Sequence, residues 1–107
     1  AVGIVALVFA AYYAEPLTVE VSRIDESMVG SIVEVNGSVE TVSVKGGNVF
    51  VKLTNNNSTI EVVMFEQAAK NNAYAYTLKK GDFIAVRGKV NFYKGGLEIV
   101  ADSLRRV

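Results

Sequence analysis

Apolar and polar residues alternate over most of the chain, and the phase of the alternation divides it into five strands. The first strand is read over residues 31–44, where Ile32, Val33, Val35, Val39, Val42 and Val44 carry the apolar positions. Gly37 interrupts it, and a glycine inside a strand marks a bulge or a sharp bend. Lys45-Gly46-Gly47-Asn48 has the composition of a hairpin turn. In the second strand, residues 49–54, Val49, Val51 and Leu53 share one face, with Phe50, Lys52 and Thr54 on the other. Asn55-Asn56-Asn57-Ser58 follows as a turn, because asparagine tolerates the left-handed conformation. The third strand, residues 59–65, sets Ile60, Val62 and Met64 against Glu61, Val63 and Phe65.

The pattern then changes. Residues 66–72 read as a short helix ended by Asn72, and residues 79–82 as a turn. A fourth strand spans residues 83–92, with Ile84, Val86 and Val90 apolar, Arg87 and Lys89 polar, and Gly88 a second bend. Tyr93-Lys94-Gly95-Gly96 is a hairpin, residues 97–101 form the fifth strand, and residues 104–107 close the chain. Upstream, residues 17–22 alternate as a short strand or extended lead-in, and residues 24–30 read as a turn.

Three strands, a short helix and two more strands match a five-stranded Greek-key barrel of the oligonucleotide/oligosaccharide-binding (OB) fold, an all-β architecture. A small sandwich or an SH3-like barrel gives similar local patterns, but the helix position favours the OB barrel. The domain is assigned to residues 17–107. Ahead of it, residues 1–16 form an apolar N-terminal extension that is uncharged through residue 14. At ~1.5 Å per residue this run falls short of the about 20 residues that span a bilayer. It reads as the end of a longer membrane anchor, as a signal-peptide core, or as a packed or oligomerising segment. Membrane association through this segment is slightly favoured over a cytoplasmic location, and a homo-oligomer through residues 1–14 is the competing expectation.

Composition narrows the chemistry. The 107 residues hold no cysteine and no histidine, which excludes disulfides, the usual zinc sites and a nucleophile–histidine pair. Asp25-Glu26 sits in a turn and reads as solvated. No enzyme activity, metal or cofactor is expected. Eleven basic and eleven acidic residues cancel, which argues against a strongly basic binder of polyanions. The charges are unevenly spread: residues 1–66 hold three basic and eight acidic residues, and residues 79–107 hold seven basic and three acidic. An anion-binding surface is therefore expected mainly from the C-terminal third.

At Phe50 to Leu53, Ile60 to Phe65, Gly81 to Gly88 and Phe92-Tyr93, the chain resembles the anticodon-binding-like branch of OB-fold nucleic-acid-binding domains. The pattern is similar in particular to the N-terminal barrel of the exonuclease VII large subunit. The resemblance runs from about Ile32 to Ala101 and is most specific from Leu53 to Phe65. Asn55 stands where that family usually has aspartate, the 107 residues contain no nuclease domain, and the apolar N-terminal run has no counterpart there. The resemblance implies a barrel that binds single-stranded DNA or RNA without itself reacting.

On such a barrel the outer face of the second and third strands binds, flanked by the first and last hairpins. Bases need flat apolar rings and phosphates need cations. The candidate set is Lys45, Asn48, Phe50, Lys52, Val63, Phe65, Arg87, Lys89, Tyr93 and Lys94. Each has a plain alternative. Phe50 and Phe65 would cover a barrel end, Lys52 would be a solvated strand residue, Tyr93 and Lys94 would shape a hairpin, and Arg87 and Lys89 would pair with Glu61 or Glu98. Glu61 on that face counts against phosphate. The expected function is a single-stranded nucleic-acid module with little sequence preference. A membrane-tethered or exported barrel for protein–protein contact or assembly is the alternative.

Overall fold

In a computed structural model, residues 17–107 are described. Six strands form one sheet that closes on itself. They are β1 (Leu17–Thr18), β2 (Ile32–Lys45), β3 (Asn48–Asn55), β4 (Ser58–Met64), β5 (Phe83–Tyr93) and β6 (Gly96–Arg106). The five strands expected from the sequence are β2 to β6. A one-turn helix, α1 (Glu66–Ala69), and a 3-10 turn (Ala73–Thr77) link β4 to β5. The helix is shorter than the expected span of residues 66–72.

The barrel closes through β2 and β6. The N-terminal half of β2 pairs with β5, from Ile32↔Lys89 to Ser38↔Phe83. Its C-terminal half pairs with β3, from Ser38↔Thr54 to Lys45↔Asn48. The last strand, β6, is antiparallel to β5 and runs parallel to β4 through Glu61↔Glu98, Val62↔Ile99 and Val63↔Val100. The five-stranded barrel expected from the alternation is the observed one. To it β1 adds a parallel pairing with β2, Leu17↔Val33 and Thr18↔Glu34.

Inward positions fill the barrel with aliphatic side chains. Val33, Val35 and Val39 of β2, Val49, Val51 and Leu53 of β3, Val62 and Met64 of β4, Ile84, Val86 and Val90 of β5 and Ile99 of β6 are all buried. Each fully buried aliphatic side chain contributes about 1.5–3 kcal/mol. Ala69 of α1 and Ala75 and Leu78 beyond it join this core. So does Val21, from the 3-10 turn Val21–Arg23, where the sequence suggested a continuing strand.

Two irregularities set the curvature. In β2 the register slips between Val39 and Thr41, leaving Glu40 unpaired with β3. The bulge thus lies three residues beyond Gly37, the expected site. Gly37 serves close approach instead, since a Cβ there would meet the Thr54 carbonyl oxygen at 2.7 Å. The bulge moves the inward phase from Val39 to Val42, a three-residue step visible in the sequence. The second slip lies at Arg87/Gly88, where Asp102 of β6 is the extra residue. Gly88 fits the expected bend: a Cβ there would collide with the Val100 carbonyl oxygen and lie 2.7 Å from the Cα of Ala101. Beyond Asp102 the inward phase resumes at Leu104, so β6 runs to Arg106 rather than ending at residue 101.

The expected membrane association is corrected. Among the described residues, no helix is long and apolar enough to cross a membrane. The apolar run of residues 1–14, on which the anchor and the oligomer expectations both rested, lies outside the described residues.

Candidate nucleic-acid interface

Strand register builds a row of side chains across the outside of the barrel. Phe50 stands opposite Val63, Val63 beside Val100, Val100 opposite Lys89, and Lys89 opposite Ile32. The next row holds Lys52, Glu61, Glu98 and Asn91 in the same order. An outward side chain on a barrel is normally wet, yet Val63 is only 5% exposed. The sequence placed it on the outer face, and the register agrees. Phe50 opposite it, Val100 beside it, and Phe65 and Tyr93 nearby are its neighbours on this face.

Those neighbours enclose a groove of about 340 Å³. Val63 and Val100 lie at its base, and Phe50, Phe65 and Tyr93 line it as rings. Phe50 is 39% exposed, Phe65 50% and Tyr93 56%. Asn91 and Glu98 supply its polar edge, and the Asn91 amide donates to Glu98 Oε1 at 3.2 Å. A wider groove of about 540 Å³ adjoins it, sharing Phe65, Asn91 and Val100 and continuing past Ile32, Lys89 and Asp102 to Gln67 of α1. Phe65 therefore borders both grooves.

The candidate residues divide by position. Phe50, Val63, Phe65 and Tyr93 line the first groove, and Lys89 lines the second. Lys94 sits in the β5–β6 hairpin with φ +52°, its ammonium 5.4 Å from the centroid of the Tyr93 ring. That spacing suits a cation–π contact. Lys52 is half-buried in the row beside Phe50, opposite Glu61, and Lys45 is exposed at the end of β2. Among the described residues, Lys45, Lys52, Lys89 and Lys94 carry no ion pair.

Asn48 and Arg87 are placed differently. Asn48 Oδ1 accepts from the backbone N–H of Glu66 at 2.9 Å, which satisfies a free donor at the start of α1. The Tyr76 hydroxyl donates to the Gly47 carbonyl at 2.8 Å, so the β2–β3 hairpin is tied to the linking segment twice. Arg87 lines neither groove and lies 3.8 Å from Asp102. Arg87 and Lys89 do not pair with Glu61 or Glu98. Arg106 is also off the grooves. Its Nε donates to the Tyr74 hydroxyl at 3.3 Å, and that bond above all raises its already high pKa.

Asn91, Glu98 and Val100 were missed as lining residues. They reach the face only through the parallel β4–β6 pairing, which no local pattern announces. The alternation of residues 97–101 carried a signal, since it set Glu98 and Val100 outward. Among the described residues, no group of three or more Asp and Glu is placed to hold a metal ion.

A closed five-stranded barrel with a helix between its third and fourth strands, and a ring-lined groove outside, defines the class of OB-fold binding barrels. The sequence from 33 to 107 matches the family described as OB-fold nucleic acid binding domain, the tRNA anticodon type, and the chain belongs to that family. Domains of this kind bind single-stranded nucleic acids through stacking and phosphate contacts. Three solved structures illustrate the fold. Aspartyl-tRNA synthetase from Entamoeba histolytica superposes with a TM-score of 0.77 at 18% identity, over 91% of this chain and 22% of that one. Asparaginyl-tRNA synthetase from Pyrococcus horikoshii gives 0.74 at 19%, over 83% and 22%. The S. pombe Stn1–Ten1 complex gives 0.65 at 18%, over 71% and 57%. The chain thus spans about a fifth of the length of the synthetases it is similar to. No curated protein matches by sequence. The likeness runs to OB domains of synthetases and of Stn1–Ten1, and not specifically to exonuclease VII.

Proposed function

We propose that this barrel holds a single strand of DNA or RNA across the outer face of β3, β4, β6 and β5. A base enters the groove between Phe50, Phe65 and Tyr93, with Val63 and Val100 beneath it. The neighbouring phosphates meet Lys45 and Lys52 on one side and Lys89 and Lys94 on the other. Stacking accepts any base, because every base has a π-face, so preference along the strand as a whole is small. The observation that carries this reading is the groove itself: three part-exposed aromatic rings lining it together with an outward but buried valine.

The similarity of pattern to exonuclease VII supports a finer reading, in which the barrel holds substrate for a catalytic unit elsewhere. The first test is fluorescence anisotropy of labelled single-stranded DNA and RNA at low and moderate salt. Saturable binding that weakens with salt and is weakened in Phe50→Ala supports the proposal. Absence of binding to either strand type at high protein concentration overturns it.

A further inference from the structure

The C-terminal third of the chain holds more cations than the grooves use. Of the seven basic residues in 79–107, Lys89 and Lys94 belong to the proposed strand path. Arg87 lies beside Asp102, and Arg105 Nη2 is 3.1 Å from Glu34 Oε1. Lys79, Lys80 and Arg106 remain. All three are exposed and, among the described residues, carry no ion pair.

The fold brings these three to one end of the barrel. Lys79 and Lys80 occupy the turn that enters β5, and Arg106 ends β6. The two strands are joined there through Ile84↔Arg106 and through the Val107 N–H, which donates to the Phe83 carbonyl at 3.1 Å. The turn is itself pinned. The Lys79 N–H donates to Asp82 Oδ2 at 2.9 Å, and the Gly81 N–H to the Val39 carbonyl at 2.8 Å. The Arg106 pKa is raised chiefly by the Tyr74 hydrogen bond and to a lesser degree by Asp82, which sets Asp82 near the guanidinium. Three cations against this one carboxylate leave an excess of positive charge.

Arg106 is held in place. Its guanidinium lies 5.3 Å from the ring centroid of Tyr74, in the 3-10 turn Ala73–Thr77, and its Nε donates to the Tyr74 hydroxyl. Nη1 and Nη2 are left as a fork that suits two oxygens of one phosphate. On β6, Arg106 lies about 13 Å beyond Asp102, which lines the wider groove, at the rise of a strand. A polymer of phosphates held in that groove can span this distance.

We propose that Lys79, Lys80 and Arg106 form a second phosphate-binding surface, apart from both grooves, that grips the backbone of the bound strand where it runs past the wider groove, with Tyr74 as the residue that positions Arg106. This rests on the nucleic-acid reading above, and lengthens the footprint without adding any base preference.

The test compares thymine-tract DNA of about six and about sixteen nucleotides, within the range that one OB barrel holds, by anisotropy across a salt series. The slope of log K against log salt should be steeper for the longer strand, by about 0.7 for each added phosphate contact. On the longer strand alone, Arg106→Gln should lower the slope by about 0.7, and Lys79→Gln combined with Lys80→Gln by about 1.4. Tyr74→Phe keeps the ring and loses the hydroxyl, and should give part of the Arg106→Gln effect. The double lysine variant changes only exposed side chains, so it reads the surface without disturbing the fold. Equal slopes for the two lengths overturn the proposal and leave groove binding intact. So does a length effect that survives all of these variants. Loss of poly-glutamate binding in the variants, with the longer strand unaffected, assigns the surface to an acidic protein segment and overturns the proposal too. Binding of neither length overturns the proposed function and this inference together.

Discussion

Phe50 on β3 stands directly opposite Val63 on β4, and this pair joins the barrel to its outer surface. Both face outward, but Val63 is as dry as a core residue while Phe50 keeps more than a third of its surface in solvent. Cross-strand partners of this kind lie about 5 Å apart at Cβ, so the ring shields the smaller side chain and presents a face beyond it. A ring half in water and half on aliphatic carbon is placed to exchange solvent for a base.

Replacing Phe50 with alanine should therefore cost about 1–3 kcal/mol of oligonucleotide binding, read by anisotropy. It should cost much less in stability than a core truncation, because the ring is only part-buried.

The complementary change is Ile99→Ala. Ile99 is fully buried and pairs with both Val62 and Val90. Its truncation should lower stability by about 2–5 kcal/mol in urea titration. The slope with denaturant should be unchanged, since the surface exposed on unfolding is nearly the same.

Salt dependence separates the cations. Each phosphate contact on a single strand contributes about 0.7 to the slope of log K against log salt. Lys52→Ala or Lys89→Ala should each reduce the slope by about that amount. Arg87→Ala should leave it unaltered, because Arg87 lies off both grooves beside Asp102.

Gly88→Ala tests the second bulge. The added Cβ would strike backbone atoms of Val100 and Ala101, which cannot swing aside as a side-chain tip can. A loss of about 1–3 kcal/mol in thermal or denaturant unfolding is expected.

Asn48→Ala tests the anchoring of the β2–β3 hairpin. Losing the acceptor for the Glu66 N–H should cost about 0.5–2 kcal/mol of stability, as for a helix cap. A larger effect on oligonucleotide binding than on stability would show that Asn48 also touches the ligand.

Several features were legible from residue order. Alternation identified the faces of β3 and β4 correctly, and Asn56 and Asn57 take positive φ as the turn composition required. It misjudged β6, because Asp102 and Ser103 resemble a strand end when Asp102 is an extra residue within one. It also put the bend of β2 at Gly37, since a glycine marks both bends and close approach while only the partner strand distinguishes them.

The chain's sequence by itself determined the strands, their inward faces, the turns and the aromatic and basic residues available on the outside. These depend on period-two alternation and on local backbone preference, which act between near neighbours. The tertiary structure alone decided that Val63 is dry, that Asn48 supports α1, that Arg87 stands aside, and that Glu98 and Asn91 edge the groove. Val63, Arg87, Glu98 and Asn91 owe their surroundings to the pairing of β6 with β4 and β5, and Asn48 to α1 folding back on the β2–β3 hairpin, contacts that no local pattern encodes.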